Sequence, residues 1–137
     1  MNLNICAPNI TVSIALAITL AIGASLSQAA DSPQVLAFMA GTSKNCSYCD
    51  LTKKDLSGRA LSGANLSNAT LSYANLSNSN LSNASLSHAN LYGANLYKAT
   101  ITGANLTGAT IYKTIWTNGS ICTETTGDSM KCSGSKM

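Results

Sequence analysis

An aliphatic residue recurs at every fifth position from residue 49 to residue 113, and the register never slips. This stretch divides into thirteen five-residue units whose central residue is always leucine or isoleucine: Leu51, Leu56, Leu61, Leu66, Leu71, Leu76, Leu81, Leu86, Leu91, Leu96, Ile101, Leu106 and Ile111. The residue two places earlier is alanine in every unit from Ala64 to Ala109 except at Ser79. Any fold for this chain must therefore give one shared interior to side chains spaced by five.

A period of five fits neither a helix nor a straight strand. On a helix, five residues advance by about 500°, so successive leucines would surround the axis. In a strand an odd period sends alternate leucines to opposite faces. All of them reach one interior only if the backbone turns a corner in every unit. Four corners close a square coil of about twenty residues, and the next coil stacks on it at roughly 4.8 Å.

The corner positions and the stacking columns follow from this register. Glycine or asparagine fills the last position of eight of the thirteen units, as at Gly58 and Asn68. Both residue types tolerate the positive φ of a type II turn. Residues twenty apart should lie above one another, which predicts a leucine-filled rod with no pocket. One column runs through Leu56, Leu76 and Leu96 and ends at Trp116, and asparagine pairs such as Asn75 with Asn95 should hydrogen bond between coils.

These units resemble those of the pentapeptide-repeat family, whose unit is A-(D/N)-L-x-x; Ala64-Asn65-Leu66-Ser67-Asn68 is an example. The segment Cys46-Ser47-Tyr48-Cys49-Asp50-Leu51 resembles the CxxCDL start of exported members, and Trp116-Thr117-Asn118-Gly119 followed by two cysteines resembles their C-terminal tails. The resemblance implies an all-β fold, a right-handed quadrilateral β-helix, of about 3.5 coils. The sequence departs from the pattern where Lys54 and Arg59 occupy inward positions, so we expect an irregular first coil.

The N-terminal residues differ in kind from the repeats. Residues 1–30 carry no charged side chain, and an almost wholly apolar run ends shortly before Ser27-Gln28-Ala29, a small-x-small motif. This pattern predicts a signal peptide over residues 1–29, cleaved after Ala29. We therefore expect a periplasmic or otherwise exported protein, with the thylakoid lumen included, and no stable membrane association after cleavage. The alternative is an uncleaved membrane anchor, because the apolar run approaches the minimum spanning length.

Three further segments complete the predicted organisation. Residues 30–48 should form an N-terminal cap with a short helix over residues 32–41, begun by Ser32 and Pro33 and ended by Gly41. Its apolar residues, Val35, Leu36, Phe38 and Met39, should cover the first coil, because a solenoid must hide its terminal rungs. The β-solenoid should occupy residues 49–121. Residues 122–137 should form a disulfide-closed tail with a turn at residues 127–128.

Four cysteines remain after the predicted cleavage: Cys46, Cys49, Cys122 and Cys132. An even number in an exported protein indicates two disulfides. The two pairs lie at opposite ends of the coils, roughly 15 Å apart by the strand spacing, whereas a disulfide needs Cα atoms within about 7 Å. We therefore expect Cys46–Cys49 and Cys122–Cys132 bonds. The competing interpretation of Cys46 and Cys49 is a thiol-disulfide redox pair, although no βαβ context accompanies it. The same distance argues against zinc bound by all four thiols.

Nothing in the sequence is arranged for catalysis, and we expect no enzyme, no metal and no cofactor. The only histidine, His88, falls at an outward corner, and the acidic residues are confined to the two ends of the coil. The net charge of +3, with 9% charged residues, is too weak a field to favour nucleic acid. Serines are abundant, but none has a base within reach.

Tyrosines give the outer surface its only distinctive chemistry. Tyr92 and Tyr112 should stack on one side with Tyr73 beside them, and Tyr97 should lie on the adjoining side. Lysines border this group at positions 53, 98 and 113. Because tyrosine is enriched where proteins bind partners, this is the candidate surface for an unknown protein partner. Alternatively, the stacked tyrosines simply cover the coil.

The sequence favours an exported, non-catalytic structural or protein-interaction module. One alternative is a gyrase-binding DNA mimic, as in some family members, but asparagine replaces aspartate at residues 65, 75, 90, 95 and 105, and a leader is predicted. A second is a CxxC redox protein. Binding to ice has little support, since no regular threonine array lines one side. An open rung at either end would also allow two molecules to stack end to end as a homodimer.

Overall fold

The computed structural model describes residues 31–126 and 129–132, and the side chains of residues 31–123 and 132. The predicted signal peptide and the predicted turn at residues 127–128 lie outside the described residues. The helix α1 spans Pro33–Met39, and the strands β1, Cys122–Thr126, and β2, Ser129–Cys132, form an antiparallel hairpin. Between helix and hairpin lies the repetitive part of the chain.

Residues 45–115 form a four-sided β-solenoid with twenty residues in each coil. Isolated parallel bridges join residues twenty apart, from Asn45 with Asn65 to Asn95 with Ile115. The central residues therefore stack into four columns, which number the sides: side 1, Cys46, Leu66, Leu86 and Leu106; side 2, Leu51, Leu71, Leu91 and Ile111; side 3, Leu56, Leu76, Leu96 and Trp116; side 4, Leu61, Leu81 and Ile101. Most of these side chains are fully buried, which confirms the predicted leucine rod.

Backbone hydrogen bonds connect each coil to the next on all four sides. The central residue of a unit donates forward, as from Leu76 N to Asn95 O at 2.7 Å, and the preceding residue donates backward, as from Asn75 N to Lys54 O at 3.0 Å. Stacking of the coils thus gives the backbone amides and carbonyls their hydrogen-bond partners and also buries the leucine side chains.

The corners explain why the period is five. The last residue of every unit from Gly58 to Gly108 has positive φ, near +57 to +71°, and the following amide closes the turn, as from Ala69 N to Leu66 O at 3.1 Å. Larger residues adopt the same conformation, including Tyr73 and Lys98. The register therefore imposes the corner even where the residue type does not favour it.

The asparagines before the central residues act mainly within their own unit. The side-chain oxygen of Asn95 accepts from the amide of Tyr97 at 3.0 Å, and Asp50 accepts from Thr52 in the same way. The hydrogen bonds that the hydroxyl and the backbone amide of Thr52 donate to the Asp50 carboxylate lower the pKa of Asp50. Asn75 hydrogen bonds between coils with Asp55, at 3.1 Å, in place of the expected Asn95. These side chains stabilise the approach to each corner.

Helix α1 covers the first coil, with Ser32 as its N-cap: the Ser32 hydroxyl accepts from Val35 N at 3.3 Å. Val35 and Phe38 are buried against the leucine core, and Met39 is half-buried. The expectation that Leu36 joins this face was wrong, because Leu36 is 56% exposed. A seven-residue helix presents one narrow face, and Leu36 lies off the line through Val35 and Phe38.

The first coil is regular, contrary to expectation: Asn45, Asp50, Asp55 and Ala60 all form the standard bridges to the second coil. Arg59 donates to the carbonyl oxygens of Phe38 at 3.3 Å and Met39 at 2.5 Å, and Lys54 forms an ion pair with Asp31 at 2.6 Å. The two cations therefore hold the residues of the cap instead of distorting the coil.

At the other end, the chain reverses after Trp116. Ile121 pairs antiparallel with Ile115, and Cys122 O accepts from Lys113 N at 2.7 Å. Cys122 is buried in the core and is bonded to Cys132. The reversal therefore covers side 3 of the last coil and the corner that side 3 shares with side 2.

Candidate interaction surface

Three tyrosines and a lysine form a continuous stack on side 2. Tyr92 and Tyr112 each follow a central residue and lie twenty residues apart, so the coil places one over the other. Tyr73 and Lys113 occupy corner positions of the same side, with Gly93 between them in the corner column. The four side chains Tyr73, Tyr92, Tyr112 and Lys113, together with Tyr97 on side 3, are called the tyrosine surface below.

The stacked rings contact one another directly. The centroids of Tyr73 and Tyr92 are 5.4 Å apart with the rings nearly perpendicular, at 80°. Tyr92 and Tyr112 are 5.9 Å apart and tilted by 35°. Lys113 Nζ lies 5.7 Å from the centroids of both Tyr92 and Tyr112, within cation–π range. The rings are thus held in a defined arrangement while their outer faces remain open to solvent: Tyr73 is 55% and Tyr112 40% exposed.

The hydroxyl groups of this stack influence one another. Donation from the Lys113 ammonium, and then from the Tyr73 hydroxyl, lowers the pKa of Tyr92. Donation to Tyr92 raises the pKa of Tyr73, and the interaction with Tyr92 raises that of Lys113. The surface therefore presents an ammonium group and phenol hydroxyls beside apolar ring faces.

Tyr97 is set apart from the other rings. It lies on side 3, where Lys98 Nζ is 5.2 Å from its ring centroid and where Gly119 packs nearby. Tyr97 was predicted to lie on the side next to that of Tyr92 and Tyr112, and it lies there. Tyr48, at a corner of side 1 in the first coil, is 78% exposed and was not singled out from the sequence. It is an isolated aromatic residue on another side.

Gly93 makes room for the ring of Tyr73. A Cβ atom at position 93 would lie 2.7 Å from Cδ1 and Cε1 of Tyr73, whereas a Cβ at Gly58 would meet nothing within 4 Å. The two glycines have nearly the same φ, +66° and +64°. Gly93 therefore has a packing role that Gly58, in an equivalent corner, does not have.

We expect Gly93→Ala to displace the Tyr73 ring from Tyr92, while Gly58→Ala leaves it in place. Both substitutions carry a similar cost for an L-residue at positive φ, about 1–2 kcal/mol, so their difference isolates the ring contact. Near-ultraviolet circular dichroism and ring-proton contacts between Tyr73 and Tyr92 by NMR measure the displacement. Equal tyrosine signals in the two variants would contradict the packing role.

The other residues considered for chemistry are scattered. His88 is exposed at a corner of side 1. Among the described side chains, the carboxylates are Asp31, Asp50 and Asp55, all in the cap or the first coil. Within the described part of the chain, no three histidine, cysteine, aspartate or glutamate side chains come close enough together to hold a metal ion.

Both predicted disulfides are present, Cys46–Cys49 and Cys122–Cys132. Cys46 fills the position that a leucine occupies elsewhere on side 1, and it is completely buried, while Cys49 is 4% exposed. Each bond lies at one end of the solenoid, and each packs into the core. This placement favours a structural role, because buried sulfurs resist attack by other thiols.

The geometry defines a four-sided β-solenoid with inward leucines and pentapeptide corners. The family described as pentapeptide repeats matches residues 45–72, 60–96 and 74–111, in eight copies. The chain belongs to this family, and the predicted right-handed quadrilateral β-helix is confirmed. No curated protein matches the chain.

Several solved structures are similar to this chain. A pentapeptide repeat protein from the cyanobacterium Cyanothece 51142 is 40% identical, with a TM-score of 0.51, over 51% of this chain and 48% of that protein. One from Nostoc PCC 7120 is 31% identical, with a TM-score of 0.46, over 61% and 72%. One from the Arabidopsis thaliana thylakoid lumen is 30% identical, with a TM-score of 0.24, over 51% and 63%. The match thus spans about half the length of the Cyanothece protein.

No helix among the described residues combines the length and the apolar character needed to cross a bilayer.

Proposed function

We propose that this chain is an exported, non-catalytic pentapeptide-repeat protein that acts as a structural or protein-interaction module in the periplasm or a lumen. Its contact with a protein partner is made through the tyrosine surface. The observation that carries the proposal is the ordered aromatic stack on side 2, where partly exposed rings lie beside a lysine. Tyrosine supplies a large contact area with only two side-chain torsions to immobilise, which suits it to binding surfaces.

Export is supported by the predicted leader and by the two disulfides. Both bonds are built into the ends of the core, at Cys46–Cys49 and Cys122–Cys132. Structural disulfides persist in oxidising compartments such as the periplasm or the lumen of an organelle. A reducing cytosol would leave Cys46 and Cys122 as buried thiols at the two ends.

The alternatives are less well supported. A DNA mimic needs rows of acidic side chains along the solenoid, whereas Asp31, Asp50 and Asp55 lie together near one end. A redox protein needs an accessible sulfur of lowered pKa, whereas Cys46 and Cys49 are buried. Neither activity has residues arranged for it along the described coils.

The double variant Tyr92→Ala/Tyr112→Ala tests the tyrosine surface. Both side chains point outward, so folding should be retained. The amount of partner recovered after cross-linking in the native envelope should fall at least about tenfold, which corresponds to a loss of about 1.4 kcal/mol of binding free energy. The readout is cross-linking in the envelope, affinity purification of the chain, and quantification of co-purified proteins by mass spectrometry.

Tyr48→Ala is the matched control, because it removes an exposed tyrosine from another side. A partner that binds the tyrosine surface is retained by this variant. Equal recovery of every co-purified protein by wild type and the double variant would refute the assigned surface, provided that circular dichroism shows both proteins folded.

A further inference from the structure

Tyr73 and Tyr92 are the two tyrosines in closest contact. Their ring centroids are 5.4 Å apart, compared with 5.9 Å for Tyr92 and Tyr112. The hydrogen bond between the hydroxyl groups of Tyr73 and Tyr92 raises the pKa of Tyr73. Tyr92 and Tyr112 instead share the ammonium group of Lys113, which lies 5.7 Å from both ring centroids. The Tyr73–Tyr92 pair therefore combines a ring contact with a contact between its hydroxyl groups.

This arrangement suits the oxidative coupling of two phenols. Coupling joins a Cε atom of each ring, the carbon beside the hydroxyl-bearing carbon, so hydroxyl groups in contact bring the reacting carbons together. The rings meet edge-on, at 80°, but exposed side chains reorient on the picosecond to nanosecond timescale. Tyr73 is 55% exposed, and Gly93 leaves room beside its ring. The bonding geometry can therefore be reached without a change in the backbone.

The lysine of the tyrosine surface favours oxidation of this pair. Donation from the Lys113 ammonium, and then from the Tyr73 hydroxyl, lowers the pKa of Tyr92. A phenolate gives up an electron more readily than a phenol, so Tyr92 is the member of the pair that is oxidised first. Its ring is already in contact with Tyr73, which is the phenol that a Tyr92 radical meets.

The other isolated tyrosines lack such a neighbour. Tyr48 lies on side 1 and Tyr97 on side 3, and neither contacts another tyrosine ring within the described part of the chain. Tyr97 has the ammonium group of Lys98 beside it instead, 5.2 Å from its ring centroid. Exposure alone therefore does not make a tyrosine of this chain ready to couple.

A bond between Tyr73 and Tyr92 would join two coils in the middle of the solenoid. Tyr73 belongs to the second coil and Tyr92 to the third. The two disulfides lie at the ends, at Cys46–Cys49 and Cys122–Cys132. A cross-link restricts the unfolded chain, as a disulfide does. The pair is thus placed where it would add a covalent link that the cysteines do not supply.

We propose that Tyr73 and Tyr92 are a site of oxidative modification, at which a one-electron oxidant, such as a high-valent metal centre, converts them into an intramolecular dityrosine. Two equivalents of the oxidant take one electron from each phenol, and each hydroxyl proton passes to water. The two phenoxyl radicals pair their unpaired electrons in a new Cε–Cε bond. The hydrogen on each bonded carbon then moves through solvent to the phenolic oxygen, which restores both hydroxyl groups. The chain loses two hydrogen atoms in all.

The test uses the purified full chain, produced through an export pathway so that the disulfides form. The oxidant is photo-excited tris(bipyridyl)ruthenium with persulfate, applied to dilute protein. Dityrosine is detected by its own fluorescence. It is located by mass spectrometry after unfolding and digestion at leucines, several of which separate Tyr73 from Tyr92. The expected product is a monomer lighter by two hydrogen atoms, in which one fragment contains both tyrosines.

Two phenylalanine variants identify the residues that react. Tyr73→Phe keeps the ring but has no hydroxyl proton to lose, so the joined fragment should be absent. Tyr48→Phe removes an exposed tyrosine from another side, and it should give the same yield of the fragment as wild type. A folded wild type that forms no dityrosine, or one that joins Tyr92 to Tyr112 instead, overturns the proposal.

Oxidation of the urea-unfolded chain provides a second measurement. The fold places the two hydroxyl groups together, so the yield of the joined fragment should fall sharply when the coils are unfolded. An equal yield from folded and unfolded protein overturns the proposal, because the coupling would then not depend on the contact between the rings. The bond forms within one purified chain, so the proposal does not depend on the function proposed for the tyrosine surface.

Discussion

Leu76→Ala is expected to lower the free energy of unfolding by about 2–5 kcal/mol, the range for removing a buried leucine from a core that cannot collapse. Leu76 is completely buried between Leu56 and Leu96 in the side 3 column. The backbone around it is fixed from both directions, since Leu56 N donates to Asn75 O and Leu76 N donates to Asn95 O, each at 2.7 Å. The neighbouring coils therefore cannot move inward without breaking these bonds.

Urea unfolding followed by circular dichroism measures this loss. Leu36→Ala is the control, because Leu36 is more than half exposed, and its truncation should change the free energy of unfolding by less than about 0.5 kcal/mol. Since each coil contacts only its neighbours, the Leu76 variant should also unfold less cooperatively than wild type. A loss no greater than that of the control would show that the column tolerates a cavity.

The solenoid could be predicted from the sequence because one geometric requirement governs thirteen units at once. A single unit such as Ala64–Asn68 carries almost no information, but an unbroken register leaves the backbone only one way to bury every leucine. The same register fixed the columns, including Trp116 on side 3, and brought Tyr92 beneath Tyr112. It also forced positive φ on Tyr73 and Lys98, whose residue types gave no sign of it.

The details that were wrong or missed depend on contacts outside the repeat. Leu36 was assigned to the apolar face of α1, because composition alone does not show which side of so short a helix meets the coil. Arg59 was expected to disturb the first coil, whereas its partners are carbonyl oxygens at the end of α1, which the repeat pattern does not contain. The dependence of Tyr73 on Gly93 required knowing that a corner side chain leans toward the next coil.

The tyrosine surface was located from the sequence, but its internal order was not. The position of a tyrosine within the twenty-residue coil decides which side it occupies. The grouping of Tyr73, Tyr92 and Tyr112 on one side therefore follows from their residue numbers. The edge contact of Tyr73 and the position of Lys113 over two rings depend on side-chain rotation at an exposed site. The chemistry of the partner is not encoded in the period, since outward positions are free of the constraint that fixes the inward ones.

Phe38→Ala is expected to detach the N-terminal cap, with a loss of about 3–5 kcal/mol. Phe38 is 1% exposed and is the largest side chain that α1 packs against the first coil. A helix of seven residues is unstable in isolation, so α1 depends on this packing. Its loss would also separate Arg59 from the carbonyls of Phe38 and Met39.

Hydrogen exchange distinguishes loss of the cap from general unfolding. In Phe38→Ala the amides of Leu51 and Leu56 in the first coil should exchange much faster than in wild type, while those of Leu86 and Leu91 should keep most of their protection. Leu36→Ala, on the same helix but directed to solvent, should leave both pairs protected. Uniform acceleration along all coils of Phe38→Ala would mean that the cap supports the whole solenoid, whereas unchanged exchange in the first coil would contradict its role as a cover.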